Sequence, residues 1–505
     1  MVYIPKFTSR MGIVQRDALR TAAINYIGLG LGYINKVVLL VMFLSLEEVG
    51  LINLLLGIGV LFGQATSLGS VFATWKFFPF FQNKDKKNYG FLGLMIGVVL
   101  VGIVIFSLFY LLLQNDITYY YKDKSAIFSE YALWVIPIGI GYVFYLLFDS
   151  YLKVMFINIV SVFAYELLLR VCISMIILAF GFNLISFKCF IVWHSLIYLL
   201  PALYLMFYII KIGEFHVRFS SINIAKRFQK IIIKFSLFSY LNTFGSIAVL
   251  TIDSIMISTI IGLEATGIYT TMIYLVSALQ VPYRSMQRVG SALVVKYWKE
   301  KNMIEMNKIY KQFSSVSLYI ILLLFSIVWI NRSEIFSLFP DTYKSGISVF
   351  GIIMIGRIVD VYFGLNTLIL SSSRKYRIDL IFTGILFVGV FSLNLIFIPH
   401  YGIDGAAIST TIVTLLYSFL RVGYVYWKFK LHPFEKSQFA LMAIFSIGLL
   451  ALSYMPSSND FDILWMIMKT GVLIALTVIP IFVLKIEHNT SDYIVKVLNR
   501  LKIVK

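Results

Sequence analysis

Runs of about 20 apolar residues, separated by short polar stretches, recur from residue 19 to residue 484. A helix of that length crosses a hydrocarbon core of about 30 Å, so the pattern predicts membrane-spanning helices from end to end. Fourteen are placed: 19 to 44, 49 to 74, 90 to 113, 131 to 152, 154 to 180, 187 to 210, 235 to 262, 266 to 289, 313 to 331, 346 to 371, 378 to 398, 402 to 427, 437 to 456 and 462 to 484. The polar intervals are short. No interval on the face carrying Gln114 to Glu130 is long enough to fold as a domain.

Composition agrees with this pattern. Of the 505 residues 60% are hydrophobic and 13% charged, with a mean hydropathy of +0.89, whereas soluble domains average about 25% charged residues. The net charge of +19 would suggest nucleic acid, but the placement of the charges argues otherwise. Of 43 Lys and Arg, 33 fall in the even-numbered loops, the two tails and the span ends adjoining them (Arg20, Arg284 and Arg288 among the last), five in the odd-numbered loops and five deeper inside spans (Lys36, Arg170, Arg357, Arg421, Lys469). Short basic loops stay in the cytoplasm, so both termini are expected there and the number of crossings is even. The excess is read as topology and contact with membrane lipids, with no nucleic-acid partner. The stretch "MVYIPKFTSRMGIVQRDALR" lacks the apolar core of a cleavable signal, and the first span is expected to serve as an uncleaved anchor. Two cysteines, Cys172 and Cys189, define no disulfide framework or metal site.

The inner insertion "KIGEFHVRFSSINIAKRFQKIIIK" mixes basic and apolar residues as an interface-lying segment does. It divides the chain into an N-terminal six-helix lobe (1–210), a cytoplasmic amphipathic linker (211–234), a C-terminal six-helix lobe (235–430) and two appended helices with a cytoplasmic tail (431–505). A partial internal repeat at an offset of 217 supports the division. Asn25 and Gly28 match Asn242 and Gly245, and Leu46, Glu47 and Gly50 match Leu263, Glu264 and Gly267. The ungapped register superposes Lys36 of span one on Asp253 of span seven. Lys36 stands nine residues before Ser45 and Asp253 nine before Gly262, where their spans end, so at 1.5 Å per residue both lie about 14 Å from the outer face, near the midplane.

No phosphate-binding GxxxxGK[ST] loop is present, and five scattered histidines give no paired-ligand spacing. The runs "GLGLG" and "GIGVLFG" contain GxxxG spacings, which within spans indicate close helix packing. Three stretches carry a family resemblance: "SLEEVGLINLLLGIGVLFGQATSLG", "TIDSIMISTIIGLEATGIYTTMIYLVSALQVPYRSM" and "NLIFIPHYGIDGAAISTTIVTLL". In their order and positions, over nearly the whole chain, they resemble the polysaccharide-exporter branch of the multidrug, oligosaccharidyl-lipid and polysaccharide (MOP) exporter superfamily, the O-antigen (Wzx-type) flippases. The resemblance implies an all-α polytopic membrane protein of about 14 transmembrane helices. Two pseudo-symmetric six-helix lobes would enclose a central cavity that opens alternately to either side, with two further helices at the C-terminus. It also implies a bacterial cytoplasmic-membrane transporter rather than an enzyme, moving undecaprenyl-pyrophosphate-linked oligosaccharide from the inner to the outer leaflet. No cofactor is expected, a proton or sodium gradient is the candidate energy source, the polysaccharide polymerase machinery is a candidate partner, and a monomer is expected.

A pyrophosphate and a sugar chain cannot shed their water into hydrocarbon, so polar and cationic side chains inside the spans are the candidate binding groups. Lys36, Arg170, Arg357, Arg284, Arg288, Asn25 and Asn242 are the substrate-binding candidates; Asp253, Glu166 and Asp360 are candidates for coupling or counter-charge. Each has a plainer reading. Glu166 with Arg170, and Arg357 with Asp360, share helix faces and could be self-neutralised pairs; Lys36 and Asp253 could pair permanently; Arg284 and Arg288 could be positive-inside anchors; the amides could join helices. Arg421 and Asp149 are expected to snorkel to the inner surface, and Lys469 belongs to the appended helices. Competing functions are a peptidoglycan-precursor flippase of the same superfamily, a drug and cation antiporter, and, in another class, a membrane O-antigen polymerase or ligase, which resembles its relatives in a long outer loop missing here.

Overall fold

The computed structural model describes residues 11–83, 87–216, 226–373, 375, 377–455 and 462–483. The middle of the expected linker (217–225), the first ten residues and the tail from 484 lie outside the described residues. Hydrocarbon offers no partner to backbone N–H and C=O groups, so a spanning chain without a closed barrel must satisfy them within helices. Among the described residues every regular element is helical and none is a strand. Among those residues, twelve helices are long and apolar enough to cross a membrane.

The difference from fourteen spans has a local cause at two places. Spans eleven and twelve form one 53-residue helical run, Arg377–Phe429, bent at Gly402, whose φ of 61° and ψ of −137° only glycine adopts without strain. A straight helix of that length would be about 80 Å long, more than twice the membrane core. Span eight is cut short at Leu279, and a new helix, Val281–Glu300, begins with Pro282 in its first turn. Proline fits there because it lacks only an N–H that the first turn leaves unpaired.

Two expectations change shape. Lys226 to Lys234, read as interfacial linker, are the opening turns of a 35-residue helix, Lys226–Ile260, that continues into span seven. The expected outer loop is folded: helices Gln114–Tyr121 and Ala126–Tyr131 stack Tyr121 on Phe128, with ring centroids 4.4 Å apart. Burial raises the Tyr121 hydroxyl to about 12, opposed by its hydrogen bond with Ser258.

The chain divides into two compact units, residues 1–267 and 268–505. In the first, span two (Leu46–Thr66) is central, packed between span four (Ala126–Val154) and span seven. Its start is self-capped: the Ser45 hydroxyl accepts from the Glu48 amide at 3.3 Å, and the Glu48 carboxylate accepts from the Ser45 amide at 2.8 Å. This is the reciprocal box that the sequence "SLEE" encodes. The repeat noted above reappears as a contact. A Cβ on Gly50 would strike the Leu263 carbonyl, and a Cβ on Gly267 would strike the Leu46 carbonyl. Leu46 and Leu263, like Gly50 and Gly267, are repeat mates, so the two helix starts cross about a local twofold.

In the second unit, Ile347–Phe363 packs on Met303–Ile330 and on Arg377–Phe429. The appended helix Lys436–Ser453 joins them through the fully buried Gln438, whose amide nitrogen donates to Ser315 Oγ and the Pro433 carbonyl, both at 2.9 Å. Its amide oxygen accepts from Tyr362. The second appended helix is pinned by a buried ion pair, Lys469 to Glu334 at 2.6 Å.

Candidate functional site

Polar chemistry gathers at one place in each unit. In the first, spans one and five each contain a single π-helical turn, Ile34–Leu39 and Phe163–Leu168. Such turns are rare and recur at functional sites. Lys36 sits inside the first and Glu166 inside the second. The Lys36 ammonium donates to Asn53 Oδ1 at 2.6 Å, a buried amide of span two. Beside it, Asn35 Nδ2 donates to the Arg170 carbonyl at 2.8 Å, and Ser174 Oγ donates to Asn35 Oδ1 at 2.6 Å. Asn35 thus bridges the neighbourhood of Lys36 to that of Arg170.

Arg170 forms an ion pair with Glu166 at 2.5 Å and donates to the Gly28 carbonyl. Its side chain and that of Glu166 remain about one-fifth exposed, 19% and 21%. The "GLGLG" run explains the approach. Gly28 meets the backbone of Glu166 and Gly32 meets the Arg170 guanidinium, with no room for a Cβ at either, whereas nothing lies within 4 Å of Gly30. Asn25, half-buried, lies one turn before Gly28 on the same helix. Asp253 is buried on span seven, which packs on span two, the helix that carries Asn53. Asn242 is half-buried on the same helix, and its carbonyl accepts from Ser246 Oγ at 2.8 Å.

In the second unit, Arg284 on Val281–Glu300 lies close enough to Arg357 on Ile347–Phe363 for each to feel the other's charge. Among the described residues neither forms an ion pair, and Arg357 does not pair with Asp360 although the two are one turn apart. Asp360 is instead within electrostatic reach of Tyr283 and Tyr417. Arg288 is exposed one turn beyond Arg284. Guanidiniums that feel each other's charge and form no ion pair among the described residues favour an anion nearby, because it relieves their mutual repulsion.

Arg421 does not snorkel. It is buried at 5% exposure, paired with Asp379, bonded to Thr367 Oγ1 at 2.6 Å and stacked over Tyr417 at 4.2 Å. A carboxylate at the start of span eleven is available to it, and pairing inside costs less than leaving Asp379 buried alone. Asp149 likewise is buried and holds Lys153 at 2.5 Å. The sequence reasoning missed Asn35, Asn53 and Ser174. Their signal was weak, since amides and hydroxyls in spans usually join helices; only the adjacency of Asn35 to Lys36 pointed to them. Among the described residues no cluster of three or more His, Cys, Asp or Glu could hold a metal.

No family model and no curated protein matches the sequence. Solved structures do. The lipid II flippase MurJ in an inward closed conformation aligns with a TM-score of 0.69 at 14% identity, over 91% of this chain and 97% of that one. An inward-facing multidrug resistance MATE family transporter of the MOP superfamily gives 0.59 at 13% identity, over 82% and 98%. A MOP superfamily transporter from Pyrococcus furiosus gives 0.52 at 14% identity, over 83% and 96%. The chain therefore has the fold of the MOP superfamily transporters, an all-α polytopic membrane fold that covers nearly its whole length.

Proposed function

We propose that this protein is a flippase that carries undecaprenyl-pyrophosphate-linked oligosaccharide from the inner to the outer leaflet of a bacterial cytoplasmic membrane, by alternating access coupled to an ion gradient. The observation that carries the reading is the nearness of Arg357, on a spanning helix, to Arg284, on the helix that follows span eight, two cations of one unit that form no ion pair among the described residues. Cations at membrane depth are costly and are kept where they meet a partner or water. A pyrophosphate is such a partner: it presents several oxygens to which guanidinium donates in pairs. Lys36 and Arg170 offer a second cationic locus in the first unit, each already steadied by a protein group. In this reading the prenyl tail stays in lipid while the charged head moves between protein groups, and both termini face the cytoplasm.

The likeness in fold to a lipid II flippase favours a second reading, transport of a peptidoglycan precursor. Both substrates are isoprenyl pyrophosphates carrying sugars, so the cationic loci serve either. Deleting the gene separates them. Loss of a surface polysaccharide, with its lipid-linked repeat units accumulating at the inner leaflet, is the expected result. Cell lysis with intact surface polysaccharide would favour the second reading, and purified protein that lengthens sugar chains would point to a polymerase.

A further inference from the structure

Arg357 and Asp360 stand one turn apart on Ile347–Phe363, both half-buried, yet they form no ion pair among the described residues. Opposite charges at that spacing ordinarily meet across the turn. We propose that Tyr283 is a positioning residue that holds the Asp360 carboxylate away from Arg357, so that the guanidinium stays available to a phosphate oxygen. The inference rests on the reading of Arg284 and Arg357 as a pyrophosphate locus. Tyr283 is seated for such a role. Its ring is buried and meets the Phe313 ring edge-on, with centroids 5.9 Å apart. Its hydroxyl lies against Gly364, where a Cβ would overlap the hydroxyl oxygen and reach into the ring. Gly364 follows Asp360 by four residues, and its φ of −57° and ψ of −19° continue the helical path. The hydroxyl therefore comes to the face of the helix that carries Asp360.

The other contacts of the hydroxyl fix what it can do. Gln287, one turn along the same helix, donates its amide nitrogen to the Tyr283 oxygen at 2.6 Å. The oxygen is thereby an acceptor, and the hydroxyl proton is left to face an anion. Asp360 is a carboxylate within electrostatic reach of it. Tyr417 also reaches Asp360, but its hydroxyl is engaged with Thr383. Arg421, which lies near Tyr283 as well, is consumed by Asp379. A hydroxyl offers Asp360 a donor without adding a cation that would compete for the ligand. The helix that bears Tyr283 is itself held: Gly290 packs on Leu365 and Phe313, and Trp298 donates its indole N–H to the Ile369 carbonyl at 3.1 Å. The same seat sets the place of Arg284, the next residue, near Arg357. A carboxylate turned onto Arg357 would neutralise one cation of the locus, whereas one drawn toward the tyrosine leaves both to a pyrophosphate.

The test measures binding of inorganic pyrophosphate to the purified full-length protein in detergent by titration calorimetry, with the melting temperature as a check on folding. Tyr283→Phe keeps the ring and removes the donor, and should weaken binding by about threefold to tenfold as Asp360 turns onto Arg357 and competes. Asp360→Asn should restore affinity to within about twofold of wild type in the Tyr283→Phe protein, yet change little while the tyrosine is intact. Gly364→Ala, which displaces the hydroxyl, should repeat both the loss and the rescue. In Arg357→Ala protein, Tyr283→Phe should have no further effect. A tyrosine that served packing alone would not give this pattern, because removing the charge of Asp360 does not repair a packing defect. Wild-type affinity in folded Tyr283→Phe protein, or an equal gain from Asp360→Asn with and without the Tyr283 hydroxyl, overturns the proposal. A different outcome strikes the reading beneath it: no binding by wild type, or binding unchanged by Arg284→Ala with Arg357→Ala, removes the pyrophosphate locus and this proposal with it.

Discussion

Two arginines one helix apart and a third in the same unit show how environment sets the role of a residue. Arg357 and Arg421 both sit inside spans, but Arg421 is consumed by Asp379 and Thr367 whereas Arg357 has Arg284 as its charged neighbour. Arg357→Ala or Arg284→Ala should therefore lower transport at normal protein level, by about tenfold to a hundredfold for a charge-assisted bond worth roughly 1.5 to 3 kcal/mol. Arg357→Lys should recover only part of it, because a point charge cannot reproduce the guanidinium fork. Arg421→Ala should act on folding instead. It leaves Asp379 buried alone, at a cost of about 3 to 5 kcal/mol, and the apolar double replacement Arg421→Met with Asp379→Leu should restore thermal stability in detergent. Equal loss of transport and equal melting temperature for Arg357→Ala and Arg421→Ala would contradict this division.

At the scale of elements, the glycine runs act by letting backbones approach rather than by bending the chain. Gly28→Ala places a methyl against the Glu166 backbone and should lower stability by about 1 to 3 kcal/mol through overpacking. Gly30→Ala, with open space around it, should be neutral, and melting of the two variants in the same detergent checks the contrast. The junction between spans twelve and thirteen makes a pH prediction. His432 accepts nothing at its ring among the described bonds; its backbone amide is held by Asn307 at 2.9 Å. Burial first, then the Lys311 charge, lowers its pKa, partly offset by the Phe434 backbone. The folded junction thus prefers the neutral ring. Its stability is fully present above an unfolded value of about 6.5 and declines as pH falls below it, because the unfolded chain takes the proton first. Hydrogen exchange of residues 430–436 should accelerate on acidification, and His432→Gln should remove the dependence.

Across the whole molecule, the membrane-spanning helical character could be read from hydropathy because hydrocarbon leaves the backbone no alternative to helix, but not the fusion of spans eleven and twelve into one bent run or the break after Leu279. The offset of 217 was legible too, and the reciprocal crossing of Gly50 and Gly267 gives it a physical meaning. What could not be read was which charges meet. Glu166 and Arg170 pair as their spacing allows, yet Arg357 and Asp360, at nearly the same spacing, do not. A one-turn separation brings two side chains to one face, but the neighbouring helix decides where each one turns. The π-turns were equally hidden, since one extra residue in a helical turn leaves no mark on a hydrophobic pattern. Nor does hydropathy say what is transported; that depends on the few cations above and on the fold shared with MOP superfamily transporters.

The most direct measurement is transbilayer movement in proteoliposomes containing the purified protein and a fluorescent undecaprenyl-pyrophosphate-linked oligosaccharide, followed by an impermeant reagent that reads only the outer leaflet. With an imposed proton or sodium gradient, wild-type protein should expose the sugar well above the rate of empty vesicles, and Arg357→Ala should fall close to the empty-vesicle rate while remaining folded. Folded wild-type protein that leaves the lipid unmoved under either gradient, or an Arg357→Ala variant that moves it as fast as wild type, would contradict the assignment.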